Sequence, residues 1–159
     1  MITAVSLANL RVQPAVDDDV SAIHALLQIY ADMGNLLPRS AAEIRSCLKD
    51  FCVVKDAGEV VACGALEIFT ADLGEVRSLV VAERCAGRGL GRAVVEYLIQ
   101  TARDRGLTRL MALTYRPQFF ERLGFTVVAK ASLPEKVWGV CIKCYKLNRC
   151  DEIAVLRRI

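Results

Sequence analysis

Three glycines at alternate positions, Gly87, Gly89 and Gly91, separate two segments of opposite character. Upstream, GEVRSLVVA (74–82) is rich in β-branched residues and reads as a strand. Downstream, Leu90, Val94, Val95, Leu98, Ile99 and Ala102 share one face of a helical period, and Gly106 closes the run. A strand that enters a helix through bare backbone predicts a crossover, with the helix lying over a sheet before the chain returns. The same turn exposes chemistry. The first amides of a helix lack intrahelical acceptors and carry partial positive charge, and glycine lets anionic oxygens approach without a Cβ in the way. The stretch is therefore read as a phosphate cradle, the alternative being a tight connection with no ligand. It lacks the Lys-Ser/Thr pair of a nucleoside-triphosphate loop. It also follows the fourth strand, not the first, with no acidic residue ending a strand about 20 residues on, which weakens a dinucleotide reading.

The remaining segments supply sheet and helices. LRVQPAV (10–16) reads as the first strand. A helix follows, with Asp17 to Asp19 as cap and first-turn charge, a stripe of Val20, Ile23, Leu26, Leu27 and Tyr30, and Gly34 at its end. Ser40 and Glu43 form a capping box on a short second helix. FCVVKD and VVACGALEIF make a hairpin around AGE. RLMALTY (109–115) is a strand, PQFFERL a short helix begun by Pro117, GFTVVAKA a further strand, and CDEIAVLRRI ends in the last. The order is β-α-α-β-β-β-α-β-α-β-β, an α+β fold read as a single domain over 1–159.

Composition narrows the function. Charged residues are 25% of the chain and the net charge is +3, with both signs interspersed. That argues against the dense basic face of a nucleic-acid binder and suits a small acidic ligand. No apolar run reaches the roughly 18 residues that span a bilayer, and the first residues do not read as a signal peptide. Seven cysteines fit reduced thiols in a cytoplasmic protein better than a disulfide framework.

The strand, the xxGxGxGxA turn and its helix, with FFERLGF one strand and helix later, resemble the GNAT family of acetyl-coenzyme A-dependent N-acetyltransferases. The resemblance covers nearly the whole chain in the right element order. It implies a mixed, mostly antiparallel central sheet flanked by helices, and acetyl-CoA as cosubstrate. The coenzyme pyrophosphate would lie on Arg88, Gly89, Leu90, Gly91, Arg92 and Ala93, with Gly87 admitting the turn. Backbone amides of Leu79, Val80 and Val81 would pair with the pantetheine arm and polarise the thioester carbonyl. Period two along the strand puts Glu75, Arg77, Leu79 and Val81 on one face and Val76, Ser78 and Val80 on the other. Glu75 stands sixteen residues before Gly91, where several members carry their catalytic carboxylate. The resemblance makes it the general base, directly or through water; a solvated Glu75–Arg77 ion pair at a strand end is the other use. Two residues depart from the family. Ala86 replaces the usual Gln or Arg, and Phe120 replaces a Tyr that protonates the leaving thiolate in many relatives. Tyr115 is a substitute acid or plain rim packing, and a thiol of pKa about 8.5 leaves tolerably well unaided.

A dicarboxylate acceptor needs fixed cations, preferably the bidentate fork of arginine. Arg39 (between the first two helices), Arg77 and Arg116 are the candidates, each otherwise a solvated charge. LLPRS (36–40), DLGEVRSLVV (72–81), LTYRPQFFERLGF (113–125) and KVWGVCIKCYKLNRCDEIAVL (136–156) resemble the short-form N-acetylglutamate synthases. That resemblance implies L-glutamate as acceptor, at the entry to arginine biosynthesis, with Arg39, Arg77 and, more weakly, Arg149 on its carboxylates. The rivals are another small amine or a protein N-terminus, and a CoA-binding regulatory module without turnover. Cys141, Cys144 and Cys150 offer three thiols where a closed zinc site needs four ligands, and the only histidine, His24, lies in the first helix, so no metal is required. The expected partners are small molecules, with no nucleic acid or membrane; a homodimer stays open.

Overall fold

A computed structural model of the chain describes residues 10–133 and 152–159. The strands are β1 (Val12–Pro14), β2 (Phe51–Asp56), β3 (Glu59–Ile68), β4 (Leu73–Val81), β5 (Arg109–Thr114), β6 (Thr126–Val128) and β7 (Ile153–Arg158). The helices are α1 (Val20–Asp32), α2 (Ala41–Ser46), α3 (Leu90–Asp104) and α4 (Pro117–Glu121). They form one sheet of order β1-β2-β3-β4-β5-β7-β6, in which β4 and β5 are parallel and β1–β2, β2–β3, β5–β7 and β6–β7 antiparallel. The expected element order and the mixed, mostly antiparallel sheet are borne out. By their contacts the described residues up to Ala65 form one compact unit with Arg77–Leu98, and Leu66–Val76 form a second with those from Ile99 onward.

In the first unit Phe51, Val53, Cys63, Ala65 and Val80 form a core with Val20, Ile23, Leu26 and Leu27 of α1 and Ile44 of α2. Gly64, between Cys63 and Ala65, presents its bare backbone to α3: an added Cβ would stand 2.6 Å from Val94 Cγ1 and 3.2 Å from Leu98 Cδ1. Alternation along β3 thus sends one set of residues to α1 and α2 and leaves the opposite face smooth enough for α3 to lie on it. Asp17–Asp19 form a 3-10 turn ahead of α1 and not the first α-helical turn. The reason is the buried Asp19 carboxylate, which accepts from the Val16 amide at 2.9 Å and pairs with Lys55 Nζ at 2.8 Å. Ser40 Oγ caps α2 as expected, accepting from the Glu43 amide at 3.1 Å.

In the second unit Leu73, Met111, Leu133 and Ala154 form a buried cluster. Asp72 Oδ2 accepts from Arg109 Nε at 2.9 Å, and its carbonyl accepts from the amides of Thr108 and Arg109, so the start of β5 is tied to the residue before β4. The strand expected over GFTVVAKA is shorter than its pattern. β6 ends at Val128 after three pairs with β7, and Lys130–Ser132 curl into a 3-10 turn. An edge strand has a ladder on one side only, so little holds the chain extended. Among the described residues no helix is long and apolar enough to cross a membrane.

Candidate active site

Gly87 and Gly89 have φ of +75° and +81°. A Cβ on either would meet nothing within 4 Å, so the left-handed backbone, not crowding, is what calls for glycine there. The first bond of α3 runs from the Ala93 amide to the Gly89 carbonyl at 3.0 Å. Among the described residues the amides of Gly89, Leu90, Gly91 and Arg92 have no acceptor, and they stand at the positive end of a 15-residue helix. The bare amides stand where the glycine pattern expects an anion cradle, with one correction. The Ala93 amide is spent inside the helix and is not available to a phosphate. The Arg92 side chain turns along the helix, its Nε 2.9 Å from Glu96 Oε1, while Arg88 is exposed. Ala86 is exposed and extended, and adds only a methyl group to this mouth.

The ladder between β4 and β5 covers only Leu73–Glu75 against Arg109–Met111. Three residues on, Ser78 adopts φ +54°, a left-handed conformation that costs a non-glycine residue roughly 1–3 kcal/mol. Val80 enters the core beneath α1 and α2, and Leu79 Cδ1 lies 3.7 Å from the position of a Cβ on Gly64, on the α3 side. Leu79 and Val80 therefore lie on opposite sides of the strand, as the alternation expects.

Side chains from two other segments hold the kink. Arg39 Nη1 donates to Ser78 Oγ at 3.1 Å, and the Cys63 thiol donates to the Ser78 carbonyl at 3.4 Å. Burial pushes the Cys63 thiol up to about 12, so it stays a neutral donor. Arg39 is itself fixed, with Nη2 3.3 Å from Cys47 Sγ and the guanidinium carbon 5.2 Å from the Phe51 ring centroid. Of five guanidinium N–H groups, Ser78 and Cys47 take one each; the rest have no protein acceptor among the described residues. Tyr30 Oη donates to the Val81 carbonyl, pinning α1 to the end of β4.

Glu75 is 3% exposed, so its carboxylate is buried and not solvated. Arg77 is half-buried next to the kink. In the second unit Tyr115 follows β5 at 38% exposure, and Arg116 caps α4 from an exposed position, its amide donating to Thr114 Oγ1 at 2.8 Å. Phe120 is buried edge-to-face against Phe119 and Phe125, with ring centroids 5.0 and 5.2 Å away. Its environment is apolar, which suits a phenyl ring better than a phenol. Arg149 and the Cys141, Cys144 and Cys150 spacing lie outside the described residues. Sequence reasoning missed Ser78, Cys47 and Tyr30. Only Tyr30 left a signal, its place on the α1 stripe.

In the first unit a strand kinked at Ser78 runs into a glycine turn that feeds a helix of unengaged amides, as the resemblance to acetyl-CoA-dependent transferases leads one to expect. Residues 22–125 match the family described as Acetyltransferase (GNAT) family, and the chain belongs to it. An amino-acid acetyltransferase of Mycobacterium tuberculosis is 34% identical over 140 residues, 86% of this chain and 80% of that one. The solved N-acetylglutamate synthase of Neisseria gonorrhoeae, complexed with coenzyme A and N-acetyl-glutamate, superposes with a TM-score of 0.85 at 28% identity. It covers 96% of this chain, which spans only 36% of that longer one. A solved Mycobacterium tuberculosis protein in complex with coenzyme A has a TM-score of 0.81 at 31% identity, covering 93% of this chain and 98% of that one.

Proposed function

We infer that the chain moves acetyl from acetyl-CoA to the α-amine of an amino acid, and that the amino acid is L-glutamate. Coenzyme binding is supported by the amides of Gly89, Leu90, Gly91 and Arg92, and by the coenzyme present in both solved relatives. The diphosphate accepts from these amides, and Gly87 and Gly89 bend the chain so that they converge. Backbone groups of Leu79, Val80 and Val81 take the pantetheine arm. The cosubstrate supplies an activated acetyl thioester, and this chain's residues supply the rest.

An α-amine is ammonium at pH 7 and must lose a proton before it attacks. Glu75 accepts that proton, directly or through one water. Amides near the Ser78 kink stabilise the oxyanion of the tetrahedral intermediate. Collapse expels the coenzyme thiolate, which Tyr115 or solvent protonates. Arg39 and Arg77, with Arg116 and Arg149 as further candidates, take the acceptor carboxylates.

The observation that carries the acidic acceptor is Arg39: a guanidinium fixed by Ser78, Cys47 and Phe51 that keeps N–H groups to spare. A fixed fork loses little entropy when a carboxylate binds, and its positive charge counts against a polyamine. The test is acetyl-CoA turnover by the purified chain across free amino acids, read by thiol release. Glutamate should lead, and a tenfold lead by methionine, lysine or aspartate would overturn the assignment. Glu75→Gln should lower kcat by roughly 10²- to 10⁴-fold with near-normal coenzyme binding. Undiminished turnover would remove Glu75 as the base.

A further inference from the structure

We propose that Ser78 and Cys47 are positioning residues for Arg39, so that recognition of the acceptor carboxylate depends on a hydroxyl and a thiol that never touch the acceptor. This rests on the reading of Arg39 as a carboxylate binder and adds what sets its aim. An arginine has four rotatable side-chain bonds and, left in solvent, populates many rotamers at an entropic cost on binding. Here three contacts from three segments constrain it. Ser78 Oγ takes Nη1 at 3.1 Å, Cys47 Sγ takes Nη2 at 3.3 Å, and Phe51 lies under the guanidinium carbon at 5.2 Å.

Each of those partners is fixed in turn. Phe51 is fully buried in the core of the first unit. The Cys47 thiol donates to the Glu43 carbonyl at 3.1 Å, so its sulfur lone pairs are left to accept from Arg39. Ser78 is held in its left-handed backbone, with its carbonyl on the Cys63 thiol at 3.4 Å. An extended residue at position 78 would send its Cβ in another direction, so the strained φ of +54° is what brings Oγ to Arg39. The strain on β4 is thereby converted into the aim of a residue 39 positions earlier in the chain.

The prediction separates aim from fold. Ser78→Ala removes the hydroxyl, and Ser78→Gly removes it while relieving the left-handed strain, so the glycine variant is a folded control. Both should raise the acceptor KM about 5- to 30-fold, the effect of losing a hydrogen bond to a charged group, a larger change than in kcat or in the acetyl-CoA KM. Cys47→Ala should raise the acceptor KM by a smaller factor, and Cys47→Ser, which keeps an acceptor atom, should restore it. Preference for glutamate over glutamine should fall in Ser78→Gly, which a loss of general stability would not produce.

A substrate-free readout distinguishes this idea from the acceptor assignment: the ¹⁵N–¹H signal of Arg39 Nε in the full chain, assigned by its loss in Arg39→Lys. A held guanidinium exchanges slowly and gives a sharp signal in the parent, and the signal should broaden or vanish in Ser78→Gly. If it is unchanged there, or if Ser78→Gly leaves the acceptor KM and the glutamate preference untouched, positioning by Ser78 is wrong. If the parent prefers a non-acidic amino acid and the Arg39 signal still collapses in Ser78→Gly, the glutamate reading falls and the positioning role stands.

Discussion

Replacing Gly64 with alanine tests how closely α3 is seated. The new methyl would lie 2.6 Å from Val94 Cγ1, where carbon atoms ordinarily rest at about 3.5–4.0 Å, so roughly 1 Å must be found. Val94 cannot supply it by rotating, because a β-branched residue in a helix keeps one χ1 rotamer about nine times in ten. Leu98 Cδ1, 3.2 Å away, is the end of a flexible side chain and can give way. The backbone must therefore move, and α3 lifts from β3. Overpacking of this kind costs about 1–3 kcal/mol, and alanine recovers about 0.4–1 kcal/mol through the unfolded chain. The clash wins, for a net loss of about 1–2 kcal/mol and a Tm lower by roughly 2–8 °C in a chain of this size. Val94 is one turn into the helix whose first amides are proposed to hold the coenzyme, so the acetyl-CoA KM should rise as well. Differential scanning calorimetry and steady-state kinetics measure the two effects. Val94→Ala in the Gly64→Ala background should recover part of both. Gly58→Ala, where a Cβ meets nothing within 4 Å, should leave coenzyme binding alone. A Gly64→Ala chain that melts within 1 °C of the parent, with an unchanged acetyl-CoA KM, would refute the seating of α3 on bare backbone.

Three further outcomes follow from the same geometry. In Gly89→Ala the free chain can relax away from φ near +81°, and coenzyme binding must restore it at a strain of about 1–2 kcal/mol, so the coenzyme Kd should weaken by roughly 5- to 30-fold with little change in Tm; calorimetric titration with CoA checks this. Burial pushes the thiols of Cys52 and Cys63 from 9.0 up to about 12. Their contribution to stability is complete below the ordinary thiol value and is lost as pH rises through the folded one, because unfolded thiols ionise first. Urea melts should weaken between about pH 9 and 12, and iodoacetamide at pH 8 should modify half-buried Cys47 well before Cys52 and Cys63; equal rates would contradict the burial. Asp72 titrates below the usual carboxylate range, mainly through its bond from Arg109 and then from Thr70. That contribution is present above the ordinary aspartate value and is lost as pH falls through the lower folded one. Asp72→Asn should therefore flatten the loss of stability between pH 5 and pH 2, and an unchanged acid limb would show that the pair contributes nothing.

Much of this protein was legible residue by residue because the signals were local. The turn at Gly87 and Gly89, the cap at Ser40 and the stripes of α1 and α3 each depend on neighbours within a few positions, where backbone sterics and helical period act directly. Element order followed, and with it the helix mouth proposed to take the coenzyme. What depended on partners far along the chain was not legible. No neighbour of Ser78 announces a left-handed residue inside a β-branched run; the kink is sustained by Arg39 and Cys63, 39 and 15 positions away. Period-two reasoning put Leu79 and Val80 on opposite faces, but it gave no sign of the hydrogen bonds that hold Ser78 between them. Likewise Arg39 was visible as a charge, while its mooring on Phe51, Ser78 and Cys47 exists only after β2, β4 and the end of α2 have packed. Short-range sterics determine which elements form, but the aim of a long side chain is a sum of weak long-range contacts that only the folded chain brings within reach.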